Sequence, residues 1–157
     1  MSCKKNKKNH CSSFSDEIEK KIKNENTCCA CGEVGCDCGV GICYFRLISC
    51  DSLKDKMSKD SKLVVINVLD KNFYDDCHIL NSINIPFNEI ENKVKSWDKN
   101  KEIIIYCANK DCPASKKAYK VFLNLGFKNL FLFEGGIKEW YKKGLLSEGL
   151  CKMDYLK

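Results

Sequence analysis

The sequence predicts an α/β protein built on an open parallel sheet with helices on both faces, and three observations lead to this fold class. Three short apolar runs, LVVINV at 63–68, IIIY at 103–106 and LFLF at 130–133, have the length of strands. They are apolar almost throughout, which is typical of parallel strands covered on both faces. Amphipathic segments separate them, and the order strand, helix, strand implies right-handed crossovers.

The helices are expected at 51–58, 88–96, 113–125 and 137–143. The third of these has one apolar face, formed by Ala118, Val121, Phe122 and Leu125. Pro113 suits its first turn, and Gly126 supplies a stop.

The chain has 157 residues, enough for one domain and an appendage. Residues 1–27 form a basic, polar tail, which we expect to be disordered or loosely helical. Residues 28–43 form a cysteine-rich arm, residues 44–147 the α/β domain, and residues 148–157 a C-terminal tail.

The net charge of +6 comes from lysines that are scattered among acidic residues, and Arg46 is the only arginine. This distribution indicates a solvated surface rather than a nucleic-acid interface. The N-terminal residues lack an apolar leader core, and no apolar run approaches the length of a membrane span. We therefore expect a cytoplasmic protein whose thiols are free unless they bind metal or take part in catalysis.

Seven of the thirteen cysteines fall between Cys28 and Cys50. The arm contains a repeat in which a Cys-x-Cys-Gly unit recurs after seven positions, and its candidate metal ligands are Cys29, Cys31, Cys36 and Cys38. Such thiolates suit zinc, cuprous copper or an iron–sulfur cluster. Three alternatives remain open: the arm accepts sulfur from Cys107, it is lipidated beside the basic N-terminus and so attached to a membrane, or it has no role.

Cys107 directly follows the second predicted strand. In open α/β sheets, ligands bind outside the carboxyl ends of the strands, so this cysteine is a candidate nucleophile. Amides of the following loop and of the next helix start would point towards its sulfur and favour the thiolate. Lys110 would add positive charge there, whereas Asp111 would oppose it unless its carboxylate turns outward to cap the helix.

These motifs resemble the single-domain rhodanese-like proteins. The residues that carry the resemblance are YC at 106–107, LGF at 125–127, NLFLF at 129–133 and EGGIKEWYKKG at 134–144. Upstream, LVVINVLD at 63–70 and CHILNSINIPF at 77–87 are similar to two further family segments. The resemblance covers about residues 44–147 and implies the rhodanese-like fold.

The resemblance implies a sulfurtransferase that carries a sulfane sulfur as a persulfide on Cys107. The donor would be thiosulfate or a persulfide, and the acceptor a small thiol, a protein thiol or cyanide. No cofactor is implied for the transfer itself. The active-site loop implied by the resemblance consists of Ala108, Asn109, Lys110, Asp111 and Cys112.

Several positions depart from the family pattern. Cys112 is either a resolving thiol for the persulfide or a small apolar residue at the helix start. The family's Asp-Val-Arg is replaced by Asn67, Val68 and Leu69, and we assign His78 to packing. Without an arginine after the cysteine, the loop does not fit the phosphatases that share this fold. The alternative function is a non-catalytic binding module whose cysteine-rich arm binds metal or carries a lipid.

Overall fold

The computed structural model describes residues 45–157, of which Leu47–Lys157 form one compact unit. The basic tail at 1–27 and the cysteine-rich arm at 28–43 lie outside the described residues. The metal, sulfur-relay and lipidation hypotheses for the arm therefore stay predictions.

The central sheet has four parallel strands, and it confirms the predicted fold class. In chain order the elements are α1 (Cys50–Lys59), β1 (Val64–Asn67), α2 (Lys71–Asp76), β2 (His78–Ile79), β3 (Ile83–Asn84), a 3₁₀ turn (Phe87–Glu89), α3 (Ile90–Val94), β4 (Ile103–Tyr106), α4 (Ala114–Asn124), β5 (Leu130–Phe133), α5 (Gly136–Lys142), β6 (Ser147–Glu148) and a second 3₁₀ turn (Asp154–Leu156). The strand order is β3-β1-β4-β5. The antiparallel pair β2–β6 forms a separate small sheet.

Alternating strand residues build a core on each face of the sheet, because side chains point to opposite faces in turn. One core contains Val65, Ile104, Tyr106 and Phe133 from the strands, packed with Leu53 of α1, Ile137 and Trp140 of α5, and Leu156. On the other face, α4 packs against β4 and β5, and α3 packs against α4. All four residues of β4 are fully buried, as expected for a strand covered on both sides.

Helix α4 begins and ends near the predicted positions, but its buried face differs from the prediction. The buried residues are Ser115, Ala118, Tyr119, Phe122 and Leu123. Val121 and Leu125, predicted to face the core, are only half-buried. The predicted stop at Gly126 is confirmed, because its backbone has a positive φ of 88°.

One edge of the central sheet is partly covered and the other is short. At the β5 edge, Leu47 forms a parallel bridge with Leu132, and the Ile48 amide donates to the Leu132 carbonyl at 3.0 Å. At the other edge, β3 is only two residues long, and its Ile83 is 40% exposed.

The residues predicted as a C-terminal tail, 148–157, lie against the domain. The Asp76 carbonyl accepts from the Cys151 amide at 2.7 Å, and the Asp76 carboxylate accepts from the amides of Lys152 and Met153, each at 3.2 Å. A disulfide joins Cys77 to Cys151. The expectation that thiols outside metal and catalytic sites are free is therefore wrong for this pair, whose long separation in sequence gives no local signal.

None of the helices in residues 45–157 combines the length and the apolar character needed to cross a membrane.

Candidate active site

Cys107 lies at the carboxyl end of β4 and faces helix α4. The preceding Tyr106 points to the opposite face, where its hydroxyl contacts Ser82 Oγ at 2.8 Å and accepts from the Ile79 amide at 3.1 Å. Because side chains alternate along a strand, Cys107 is directed to the α4 side. Its sulfur lies 3.1 Å from Ser115 Oγ in the first turn of α4, and the residue is fully buried.

The loop after Cys107 is organised by Asn109. Asn109 Oδ1 accepts from the amides of Asp111 at 3.0 Å and Cys112 at 3.1 Å. The expected orientation of these two loop amides towards the sulfur is therefore wrong, whereas the expected contribution from the helix start is present as a backbone hydrogen bond from Ser115. Instead, carbonyl oxygens approach the Cys107 sulfur, that of Cys112 at 3.5 Å and that of Asn109 at 3.6 Å.

This arrangement favours the neutral thiol of Cys107. Burial raises the pKa of Cys107 to about 11, while hydrogen bonds from the Ser115 side chain and backbone oppose the rise and the neighbouring Cys112 adds to it. Burial raises a thiol pKa because the charged form loses its hydration. The expectation that the loop stabilises a thiolate is thus wrong for this conformation, in which Cys107 is protonated near neutral pH.

Helix α5 anchors the start of the loop from the other side. The Ile137 amide donates to the Cys107 carbonyl at 3.0 Å, and the Lys138 amide donates to the Ala108 carbonyl at 2.9 Å. This approach requires glycine at position 136. Gly136 has φ 62°, and a Cβ there would lie 2.5 Å from the Cys107 carbonyl oxygen.

The other predicted loop residues differ in their exposure to solvent. Lys110 and Asp111 are exposed, whereas Ala108, Asn109 and Cys112 are half-buried. Asp111 does not cap α4, since Pro113 holds the N-cap position without a side-chain hydrogen bond.

Two predicted residues outside the loop, Asn67 and His78, contact neighbouring parts of the domain. The Asn67 side chain is buried at the end of β1, and its Oδ1 accepts from the Leu69 amide at 2.9 Å. His78 stacks on the Tyr74 ring at 3.8 Å, and its Nδ1 lies 2.7 Å from the Tyr74 carbonyl oxygen. These contacts agree with the assignment of His78 to packing.

Ser115 and the turn-forming role of Asn109 were absent from the sequence prediction. Ser115 lies on the same buried face of α4 as Ala118, Tyr119 and Phe122, one turn nearer to the helix start. A polar residue on this face could have indicated a functional contact in the sequence. Asparagine shortly after a strand is a common former of side-chain-closed turns.

Within residues 45–157, no three His, Cys, Asp or Glu side chains are grouped in a way that could hold a metal ion. The candidate ligands Cys29, Cys31, Cys36 and Cys38 lie outside this range.

The fold and site define a class of α/β domain in which a cysteine directly follows a central strand of the sheet and faces a helix start. The family profile of the Rhodanese-like domain matches residues 49–143. The chain belongs to the rhodanese-like domain family.

Solved structures agree with this assignment. The BH2092 protein of Bacillus halodurans is 34% identical, with a TM-score of 0.64, over 69% of this chain and 82% of that protein. A rhodanese-related protein of Thermoplasma volcanium is 28% identical, with a TM-score of 0.57, over 67% of this chain and 98% of that protein.

Two of the curated relatives have names that describe sulfur chemistry, which supports a sulfurtransferase role at the level of the family. YrkF of Bacillus subtilis, whose name describes a sulfur carrier, is 28% identical over 61% of this chain. The thiosulfate sulfurtransferase GlpE of Coxiella burnetii is 24% identical over 54% of this chain and 78% of its own length. The centrosomal protein of 41 kDa from mouse is 26% identical over 62% of this chain. The match spans 51% of the length of YrkF and 29% of the centrosomal protein.

Proposed function

We propose that this domain is a sulfurtransferase that carries a sulfane sulfur as a persulfide on Cys107. The donor is thiosulfate or a low-molecular-weight persulfide, and the acceptor is a small thiol, a protein thiol or cyanide. One observation carries the proposal: Cys107 is a free thiol at the end of the central strand, on a loop fixed by both α4 and α5. Covalent catalysis by a cysteine needs such a positioned nucleophile and no metal.

The proposed cycle has two displacement steps. The Cys107 thiolate attacks the sulfane sulfur of the donor, the donor's S–S bond breaks, and its electron pair leaves with the donor remnant, which is sulfite when thiosulfate is the donor. The acceptor nucleophile then attacks the outer sulfur of the persulfide and returns Cys107 as a thiolate. Ser115 Oγ, 3.1 Å from the sulfur, is placed to donate a hydrogen bond to the thiolate in each step.

The burial of Cys107 favours a second candidate, a rhodanese-like module that binds a partner without catalysis. A fully buried thiol with a pKa of about 11 reacts slowly unless the loop opens. Metal binding or lipidation of the cysteine-rich arm at 28–43 belongs to this second candidate.

Mass spectrometry of the full chain separates the two candidates. The protein is exposed to thiosulfate or to a low-molecular-weight persulfide, desalted, and then treated with or without cyanide. Trypsin places Cys107 in the peptide 102–110 and Cys112 in the peptide 111–116, so added sulfur can be assigned to either cysteine. We expect one sulfur on the 102–110 peptide, released as thiocyanate by cyanide and absent from Cys107→Ser.

The matched control is Cys50→Ala, which removes a buried free thiol at the start of α1. This variant should load sulfur as the parent protein does. If Cys107 remains a bare thiol with every donor, the sulfurtransferase proposal fails and the binding module becomes the better interpretation.

A further inference from the structure

The loop that starts at Cys107 holds a second free cysteine, Cys112, five residues later. In the described part of the chain, the free cysteines are Cys50, Cys107 and Cys112. Cys50 begins α1 and belongs to the core on the opposite face of the sheet from α4. Cys112 is therefore the described free thiol that shares the site with Cys107.

The turn formed by Asn109 folds Cys112 back towards the Cys107 sulfur. Both the side-chain and the backbone oxygen of Asn109 accept from the Cys112 amide, at 3.1 Å and 3.2 Å. As a result, the Cys112 carbonyl oxygen lies 3.5 Å from Cys107 Sγ. The Cys112 side chain also raises the pKa of the Cys107 thiol, through its charge and a side-chain hydrogen bond, so the two thiols influence each other.

The two thiols also differ in exposure. Cys107 is fully buried behind the loop, whereas Cys112 is half-buried at its outer end. The half-buried thiol of Cys112 is accessible to small thiols in solution. The buried partner is shielded from them until the loop moves.

We propose that Cys112 is a resolving thiol that converts the Cys107 persulfide into a Cys107–Cys112 disulfide and releases hydrogen sulfide. This inference rests on the proposed function, because it requires the persulfide to form. It makes the domain a persulfide reductase as well as a sulfur carrier.

The step balances as a thiol–disulfide exchange. The Cys112 thiolate attacks Cys107 Sγ, the bond between Sγ and the outer sulfur breaks, and its electron pair leaves with the outer sulfur as hydrosulfide. The outer sulfur is reduced to sulfide and the Cys112 sulfur is oxidised, while Cys107 Sγ stays at the oxidation level of a disulfide sulfur. Two equivalents of a low-molecular-weight thiol then reduce the disulfide and restore both cysteines.

The two routes for the sulfur differ in which atom is attacked. Transfer to cyanide needs attack on the outer sulfur and does not require Cys112. Release as sulfide needs attack on Sγ, which Cys112 approaches from within the loop. Removal of Cys112 should therefore abolish sulfide release while it preserves thiocyanate formation.

The test loads the full-length protein and Cys112→Ser with a low-molecular-weight persulfide, removes the donor by rapid desalting, and keeps all thiols absent. Free sulfide is measured, and tryptic peptides are mapped without reduction. Immediately after loading, the parent protein should hold the sulfur on the 102–110 peptide, where cyanide removes it as thiocyanate. On standing without cyanide, we expect the parent to release close to one sulfide per chain and then to show peptides 102–110 and 111–116 joined by a disulfide. Cys112→Ser should keep the persulfide on 102–110 and release at least tenfold less sulfide. Cys112→Ala repeats the test without a hydroxyl, and Cys50→Ala should behave as the parent.

The outcomes separate this inference from the function on which it rests. If both the parent and Cys112→Ser keep the persulfide and release no sulfide, the resolving role is overturned and the sulfur-carrier function stands. Equal sulfide release from both proteins would also overturn it, since another thiol would then resolve the persulfide. If neither protein acquires sulfur on Cys107, the proposed function and this inference fail together.

Discussion

The raised pKa of Cys107 predicts a steep pH dependence of its alkylation. With a pKa of about 11, the thiolate fraction grows from about 0.1% at pH 8 to about 9% at pH 10, roughly a 90-fold increase. A cysteine thiol with an ordinary pKa of 9.0 would gain about tenfold over the same interval. A thiolate stabilised to a pKa of about 7 would gain almost nothing. The rate constant for iodoacetamide at each pH, read from the peptide 102–110, measures this directly.

Ser115→Ala extends the same experiment, because it removes a hydrogen bond that lowers the pKa of Cys107. Alkylation of Cys107 at pH 8 should slow by about tenfold, as expected for loss of a hydrogen bond to a charged group. Ser82→Ala is the matched control: it removes a buried serine that contacts Tyr106 on the other face of the sheet. A flat rate above pH 8, or equal slowing in both variants, would refute the reasoning.

Two further predictions concern how the domain is held together. Gly136→Ala forces a Cβ to within 2.5 Å of the Cys107 carbonyl oxygen at φ 62°, so we expect the free energy of unfolding in urea to fall by about 2 kcal/mol or more. Gly126→Ala, at φ 88° with nothing within 4 Å, isolates the conformational cost, and an equal loss in the two variants would contradict the steric argument. Reduction of the Cys77–Cys151 disulfide, whose cysteines are 74 positions apart in sequence, restores conformational entropy to the unfolded chain. The free energy of unfolding in urea should therefore fall by about 4 kcal/mol. An unchanged urea midpoint after reduction would contradict this estimate.

The central sheet could be predicted because each of its longer strands is an apolar run that can be recognised in the sequence. Strands β1, β4 and β5 are continuous apolar runs, and the helices between them have apolar faces of the right period. Strands β2, β3 and β6 are two residues long each and form only through pairing with distant partners. Helix α2 has no buried residue, so it lacks the periodic apolar pattern that indicates a helix.

The site was predictable in position but not in electrostatics. The placement of Cys107 follows from the end of an apolar strand in a parallel sheet. Its protonation state depends mainly on burial of the sulfur, which the Ser115 hydrogen bonds only partly oppose. The Asn109 turn is local and has a signal in the sequence, since its side chain accepts from amides two and three residues later. Burial of the sulfur depends on how the folded loop packs against α4, which local spacing does not encode.

The edges of the central sheet limit strand pairing between two molecules of this domain. An open sheet edge exposes unpaired amides and carbonyls that can template strand addition from another chain. Here the β5 edge is partly occupied by the bridge at Leu47, and the β3 edge offers only two residues. Within residues 45–157, a second molecule therefore finds little continuous backbone to pair with. This is the feature by which native sheets resist edge-to-edge aggregation during folding and at high concentration.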